Sequence, residues 1–143
     1  MSAPFDTHLI EARLKELCPS LRLVGTAANY AAVKNLRDFQ TASAYVLRAR
    51  ESGGAHGTGR QRAEVVIGIA IAARNYRDQR GATAGDDSDS VIKEVREALM
   101  GWTPPVAGGR PVQWVQGDLL DYDDATTLWM EVFQTQHFIG KGQ

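Results

Sequence analysis

The chain has 143 residues, of which 43% are apolar and 23% are charged. This is the length and composition of one soluble globular domain, and it excludes a disordered, collagenous or membrane-embedded chain. The net charge of −1 argues against nucleic acid as the main partner, because binding through phosphates needs a clustered excess of basic residues.

The first residues and the cysteine content bear on location. The chain does not start with basic residues followed by an apolar stretch, and its longest apolar run, residues 65–73, is half of what a bilayer crossing needs. We therefore expect neither export nor membrane insertion. Cys18 is the sole cysteine, which predicts a role in helix packing and a reducing compartment.

Charge is divided unevenly along the chain. Residues 1–80 carry twelve Lys/Arg and seven Asp/Glu, a net charge of +5, whereas residues 81–143 carry four and ten, a net charge of −6. Opposed patches of this kind favour self-association. The alternative is that both halves form solvated faces that interleave in the fold.

The N-terminal segment predicts a helix followed by a short strand. Asp6 is a candidate N-cap, and apolar residues such as Ile10 and Leu14 then recur at helical spacing until Pro19 ends the helix. Residues 21–24 alternate as a short strand.

The next segment predicts a helical turn, a strand and a mobile loop. Thr26 or Asn29 is the candidate cap of an Ala-rich turn, and residues 43–50 alternate as a strand. Residues 50–62 are rich in glycine and poor in apolar side chains, so they cannot offset their ordering entropy and we expect a flexible arm there.

The clearest strand of the sequence follows this arm, over residues 64–74. Its large side chains alternate with small ones such as Gly68 and Ala70. We expect helices to cover the large face and a close neighbour or solvent to cover the small one. The large face comprises Val65, Ile67, Ile69, Ile71 and Ala73.

A second amphipathic helix is predicted after the polar segment 76–85. Asp87 or Ser88 is its candidate N-cap, and Gly101 occupies the position where a left-handed residue ends a helix. Its buried stripe consists of Val91, Ile92, Val95, Leu99 and Met100.

The C-terminal segment predicts two strands, over residues 112–118 and 126–139, around an acidic turn at 119–125. The second strand would span roughly 40 Å at about 3.3 Å per residue, so it must bend at a bulge or reach past its own sheet. The acidic residues of this region are Asp118, Asp121, Asp123 and Asp124.

Together these elements predict a single domain over residues 1–143 with an α+β fold. A mixed or antiparallel β-sheet packs against two main α-helices, and no internal repeat or interdomain linker occurs.

The sequence contains no pattern typical of catalysis, so we predict no catalytic, cofactor-binding or metal-binding residues and no enzyme activity. His8, His56 and His137 each lack a second ligand at metal-binding spacing. The glycines of residues 53–59 precede a strand, whereas a phosphate-binding loop precedes a helix. The acidic turn lacks the ligand order of a calcium loop, and no nucleophile motif occurs.

The order of the predicted elements and several short stretches of sequence resemble the tail terminator proteins of long-tailed bacteriophages. The most specific is the helix exit at residues 99–104, Leu-Met-Gly-Trp-Thr-Pro. The others are the N-terminal helix with Ile10, Leu14 and Leu17, then residues 44–47, 65–71, 117–119 and 128–138.

This resemblance implies a structural virion protein of the phage tail and neck, made in the host cytoplasm during assembly. Its copies would form a ring, typically a homohexamer, on the head-proximal end of the tail tube and stop the growth of the tube. The implied partners are further copies of the chain, the tail tube protein and the head–tail connector, with the genome passing through the lumen unbound. The resemblance implies no cofactor and no membrane contact.

Two other classes stay open. One is another neck or connector morphogenesis protein, and the other is a small α+β enzyme or ligand-binding domain with a polar concave pocket.

For the ring, we hypothesise interface residues in the arm, in the acidic turn and near the end of the last strand. The acidic turn would face basic residues such as Arg74, Arg77 or Arg80. The full set is Arg50, Arg60, Arg62, Arg74, Arg77, Arg80, Trp102, Asp118, Asp121, Asp123, Asp124, His137 and Phe138.

Overall fold

The structure is a computed structural model that describes residues 2–57, 59–74 and 87–140. Its helices and strands follow the chain in the order α1 His8–Leu17, β1 Leu23–Thr26, α2 Ala27–Ala32, a 3-10 turn Leu36–Asp38, β2 Ser43–Gly57, β3 Arg60–Arg74, α3 Ser88–Leu99, β4 Gln113–Tyr122 and β5 Thr126–Gly140.

The five strands form one mixed sheet in the order β1-β2-β3-β5-β4. β1 runs parallel to β2, and the other neighbours are antiparallel. With helices packed on this sheet, the predicted α+β fold is confirmed.

One face of the sheet carries the main hydrophobic core. The alternating large residues of β3 are buried there against Leu14 of α1 and against Val95 and Leu99 of α3, as predicted. Each fully buried isoleucine contributes about 1.5–3 kcal/mol, so this face supplies much of the stability of the fold. We call it the helical face.

The opposite face of the sheet is covered by the segment after β1. Tyr30 and Phe39 of this segment pack around Tyr45 of β2 with ring centroids 5.6–5.9 Å apart. Ala70 lies opposite Tyr45 in the sheet, and a Cβ added to Gly68 would lie only 3.0 Å from Met130 Sδ. Small residues on β3 therefore admit this second layer, which we call the aromatic face.

The ends of α2 and α3 follow the predicted capping signals, whereas the N-cap of α1 is Thr7 instead of Asp6. Thr26 and Asn29 form a reciprocal capping box at α2, and Asp87 accepts a hydrogen bond from the backbone N–H of Ser90 at α3. Gly101 has φ +82, the left-handed conformation expected just after a helix.

Several strand boundaries differ from the predictions, among them the start of β3, which is at Arg60 instead of residue 64. β1 begins at Leu23 instead of residue 21, β2 continues to Gly57 instead of ending at Arg50, and β4 continues to Tyr122 instead of ending at Asp118. In the last two cases the extra residues pair with a neighbouring strand, which local composition does not reveal.

The predicted flexible arm at residues 50–62 is therefore, where described, the end of the β2–β3 hairpin. Its backbone pairs as far as Gly57 with Arg60, with a register shift between Gly53 and His56. Mobility of this segment stays a prediction.

The last strand is as long as predicted, but its pairing with β3 contains no bulge and does not run past the end of β3. All fifteen residues of β5 pair in register with β3, from Thr126 with Arg74 to Gly140 with Arg60. On its other side β5 pairs with β4 only as far as Gln134. The strands β3 and β5 thus extend beyond the start of β4.

Candidate interaction surface

The edge strand β4 exposes an unusual amount of apolar surface. Of the eight large apolar residues that are exposed in the described part of the chain, five lie on this strand. Contiguous exposed apolar surface of this kind marks sites of protein–protein contact. The five residues are Trp114, Val115, Leu119, Leu120 and Tyr122, between 40% and 53% exposed.

Two β-bulges interrupt β4. The pairing with β5 shifts register between Trp114 and Gln116 and again between Leu119 and Asp121, which leaves Val115 and Leu120 as the extra residues. Bulges redirect side chains and break the regular hydrogen-bonding pattern of an edge. The strand therefore offers apolar side chains on an irregular backbone.

The second bulge also places two acidic side chains on one face. Asp118 pairs with Met130, and Asp121 pairs with Leu128, two residues away on β5. Residues two apart on a strand share a face, so both carboxylates lie on the aromatic face although they are three apart on β4. Without the bulge at Leu120 they would point to opposite faces.

The other two acidic residues lie in the β4–β5 turn. Asp123 Oδ1 accepts hydrogen bonds from the backbone N–H groups of Ala125 and Thr126, each at 2.8 Å. These two hydrogen bonds, with a smaller contribution from Arg37, hold the pKa of Asp123 below its ordinary value. Asp123 therefore builds the turn, and Asp124 is exposed beside it.

A buried carboxylate anchors β4 to the rest of the molecule on the helical face. Glu131 of β5 is fully buried and accepts hydrogen bonds from Arg96 Nε at 2.6 Å and Arg96 Nη2 at 2.9 Å. The indole N–H groups of Trp129 and Trp114 also donate to it, at 2.8 and 3.1 Å. Because Arg96 lies on α3 and Trp114 on β4, the carboxylate joins three elements.

This anchor requires Gly117 beside it. A Cβ at Gly117 would lie 2.7 Å from Glu131 Oε1 and 2.5 Å from Trp129 Cζ2. The hydrogen bonds to Glu131 also raise the pKa of Arg96, so its guanidinium stays charged. Sequence analysis missed this cluster. Its signal was a charged residue at a core-facing position of an alternating strand.

A groove of about 610 Å³ lies between α3 and the edge of the sheet on the helical face. Ile92, Leu119 and Trp129 form its apolar part, with Lys93 and Arg96 along the side of α3. The exposed side chain of Leu119 therefore continues the apolar surface of β4 into this groove.

Two arginines form a second candidate surface at the end of the β2–β3 hairpin. The guanidinium groups of Arg60 and Arg62 lie 4.2 and 4.4 Å from the ring centroid of Phe138. Arg62 Nη1 also donates to the backbone oxygen of Gly108 at 3.0 Å and to Gln136 Oε1 at 3.2 Å. The structure thus brings together three of the predicted interface residues.

Other predicted interface residues lie elsewhere. His137 is buried on the other face of β5, with Nε2 3.0 Å from Glu51 Oε1 and its ring edge-on to Phe5. Trp102 is half-buried beneath the guanidinium of Arg13. Arg50 is exposed on β2, away from the hairpin end.

The basic segment around residue 74 is described only in part. Arg74 pairs with Thr126, which places it at the same end of the sheet as the acidic turn of its own chain. Arg77 and Arg80 lie outside the described residues, so their predicted contact with the acidic turn stays a prediction.

Across residues 2–57, 59–74 and 87–140, His, Cys, Asp and Glu side chains form no group able to hold a metal ion. Among the helices described, none has the length and apolar character to cross a bilayer. Cys18 is buried, and burial raises its pKa to about 12.

A mixed sheet with an exposed apolar edge favours contact with other proteins. The sequence model of the family described as Phage tail terminator protein matches residues 1–143, and the chain belongs to this family. A search of curated proteins found no match. Family membership makes the protein a component of the phage virion that associates with other tail and neck proteins.

Proposed function

We propose that copies of this protein form a ring on the head-proximal end of the tail tube, with the six subunits typical of the family. The ring ends the growth of the tube and presents the surface to which the head–tail connector docks. The genome passes through its lumen without specific binding, and assembly takes place in the host cytoplasm. The protein acts through its surfaces and has no catalytic role.

The observation that carries this proposal is the apolar edge of β4. Five exposed apolar side chains on one strand are costly in water unless a partner covers them, at about 25 cal/mol per Å² of apolar area. The opposite edge of the sheet, β1, has only four residues, so we expect the β4 edge to contact another surface of the neighbouring subunit. Contacts between unlike surfaces of identical subunits are heterologous, and they close into rings when the rotation permits.

The experiment is an in vitro tail-tube assay. Tail tube protein is polymerised with and without the purified chain, and tube length and tube ends are measured by negative-stain electron microscopy. We expect the chain to shorten the tubes and to leave a ring at one end. Tubes of unlimited length, with the chain free beside them, would contradict the proposal and favour another neck protein.

Two matched variants make this assay specific. Leu120→Asp places a charge on the β4 edge, and Leu17→Asp places one on α1 at a similarly exposed leucine, 44% against 42% exposed. We expect the first variant to lose capping and the second to retain it. Equal capping by both variants would exclude the β4 edge from the contact.

A further inference from the structure

Two surfaces of the chain carry opposite charges in matched pairs. Arg60 and Arg62 lie two residues apart on β3, and Asp118 and Asp121 lie opposite residues two apart on β5. Both pairs therefore have a spacing of about 6.6 Å along a strand, at about 3.3 Å per residue. The bulge at Leu120 produces this match, because it puts both aspartates on one face.

Neither pair is neutralised by the described residues of its own protomer. In the described parts of the chain Arg60, Arg62, Asp118 and Asp121 make no ion pair. Asp118 accepts from the Gln116 side chain, and Asp121 from the backbone N–H of Tyr122. All four residues keep hydrogen-bonding capacity for a partner.

The two pairs cannot meet in the same molecule. Asp118 lies level with Met130, which pairs with Ala70, eight residues along β3 from Arg62. Eight residues of strand span about 26 Å, whereas exposed charges are screened beyond roughly 8 Å at physiological salt. Each pair is therefore open to a second copy of the chain.

The arginine pair is preorganised for such a contact. Stacking on Phe138 orients both guanidinium groups, and the hydrogen bond to Gly108 further fixes Arg62. A fixed guanidinium loses less side-chain entropy on binding and can pair with a carboxylate through two parallel hydrogen bonds. The hairpin end also projects past the start of β4, which allows it to reach a neighbour.

We propose that Arg60 and Arg62 of one protomer bind Asp118 and Asp121 of the next, in a head-to-tail contact beside the apolar residues of β4. This inference rests on the proposed ring. A second copy fits better than a nucleic acid, because the contact neutralises both pairs of every protomer, whereas an anionic polymer would leave the aspartates unpaired. Repeated around the ring, each protomer gives its arginines to one neighbour and its aspartates to the other.

The test is a charge swap in the tail-tube assay. The acid-reversed variant is Asp118→Arg/Asp121→Arg, and the arginine-reversed variant is Arg60→Asp/Arg62→Asp. The charge reversal Glu16→Arg, on an exposed position of α1, is the control. Far-UV circular dichroism of each variant checks the fold.

We expect each reversed variant alone to cap at least about tenfold fewer tubes, because like charges then face each other in every contact. An equal mixture of both variants should restore capping, because each arginine-reversed subunit is complementary to an acid-reversed neighbour in an alternating ring. A chain with all four changes should also restore it, whatever the number of subunits. The control should cap like the wild type.

The possible outcomes distinguish failure of this proposed contact from failure of the proposed function. Normal capping by each reversed variant alone would overturn the contact and leave the proposed function intact. Loss of capping that neither the mixture nor the fourfold variant restores, in folded protein, would also overturn it and would assign these charges to the tube or connector. Failure of the wild type to cap would overturn the proposed function itself.

Discussion

The two edges of the sheet differ in almost every respect. β1 has four residues, runs parallel to its neighbour and passes directly into α2, and Leu23 is its only large exposed apolar residue among those described. β4 has ten residues, two bulges and five such residues. β4 is thus the longer and more apolar edge of this sheet, and it is the edge at which we expect a partner to bind.

The largest effect on the β4 edge is expected from a substitution that detaches this strand from the core. Glu131→Ala removes the carboxylate that joins β4, β5 and α3, and it leaves two indole N–H groups and Arg96 without their acceptor. We expect a loss of about 3 kcal/mol in the free energy of unfolding, measured by urea denaturation.

The matched control for this variant is Glu97→Ala, on the exposed side of α3. It should change the free energy of unfolding by less than about 0.5 kcal/mol. A loss below about 1 kcal/mol in Glu131→Ala would show that the carboxylate does not anchor the edge strand.

A charge on either edge should have a smaller effect on stability. A large effect on assembly is expected only for a charge on β4. Leu119→Asp on β4 and Leu23→Asp on β1 replace exposed leucines, so each should cost about 1 kcal/mol or less in the monomer. Only Leu119→Asp should abolish capping, because it alone puts a charge into the proposed interface. Loss of capping in Leu23→Asp as well would show that both edges take part.

The smallest expected effect concerns the turn that ends β4. Because the pKa of Asp123 is lowered in the folded state, its stabilising contribution is complete above the ordinary value of 3.8 and is lost as the pH falls through the lower folded value. Asp123→Asn should therefore flatten the decline of the melting temperature below about pH 4. Asp124→Asn controls for the lost charge, and an unchanged pH profile in Asp123→Asn would contradict the assigned role.

Local signals predicted the central elements of this fold well. The alternation along β3 identified its buried face, and Asp87 and Gly101 marked the two ends of α3, because periodicity and capping depend on nearby residues. The paired arginines and aspartates were among the predicted interface residues, and that role stays a prediction.

Features that depend on distant pairing could not be predicted in the same way. β2 continues through its glycines because β3 supplies hydrogen-bond partners. Residues 119–122, which include Asp121, belong to a strand because β5 pairs with this segment. The partners of Glu131 lie 35 and 17 residues away, at Arg96 and Trp114. The face shared by Asp118 and Asp121 depends on a bulge, which shows only in the register.

The bulges of β4 also bear on the behaviour of the protein at high concentration. The bulges at Val115 and Leu120 interrupt the regular spacing of the backbone hydrogen-bonding groups on this edge. An identical strand placed against it could therefore not form an unbroken cross-β ladder. Fibril growth through the edge is therefore disfavoured while unassembled subunits accumulate. The same strand that exposes its side chains to a neighbour protects the pool of free subunits from amyloid-like aggregation.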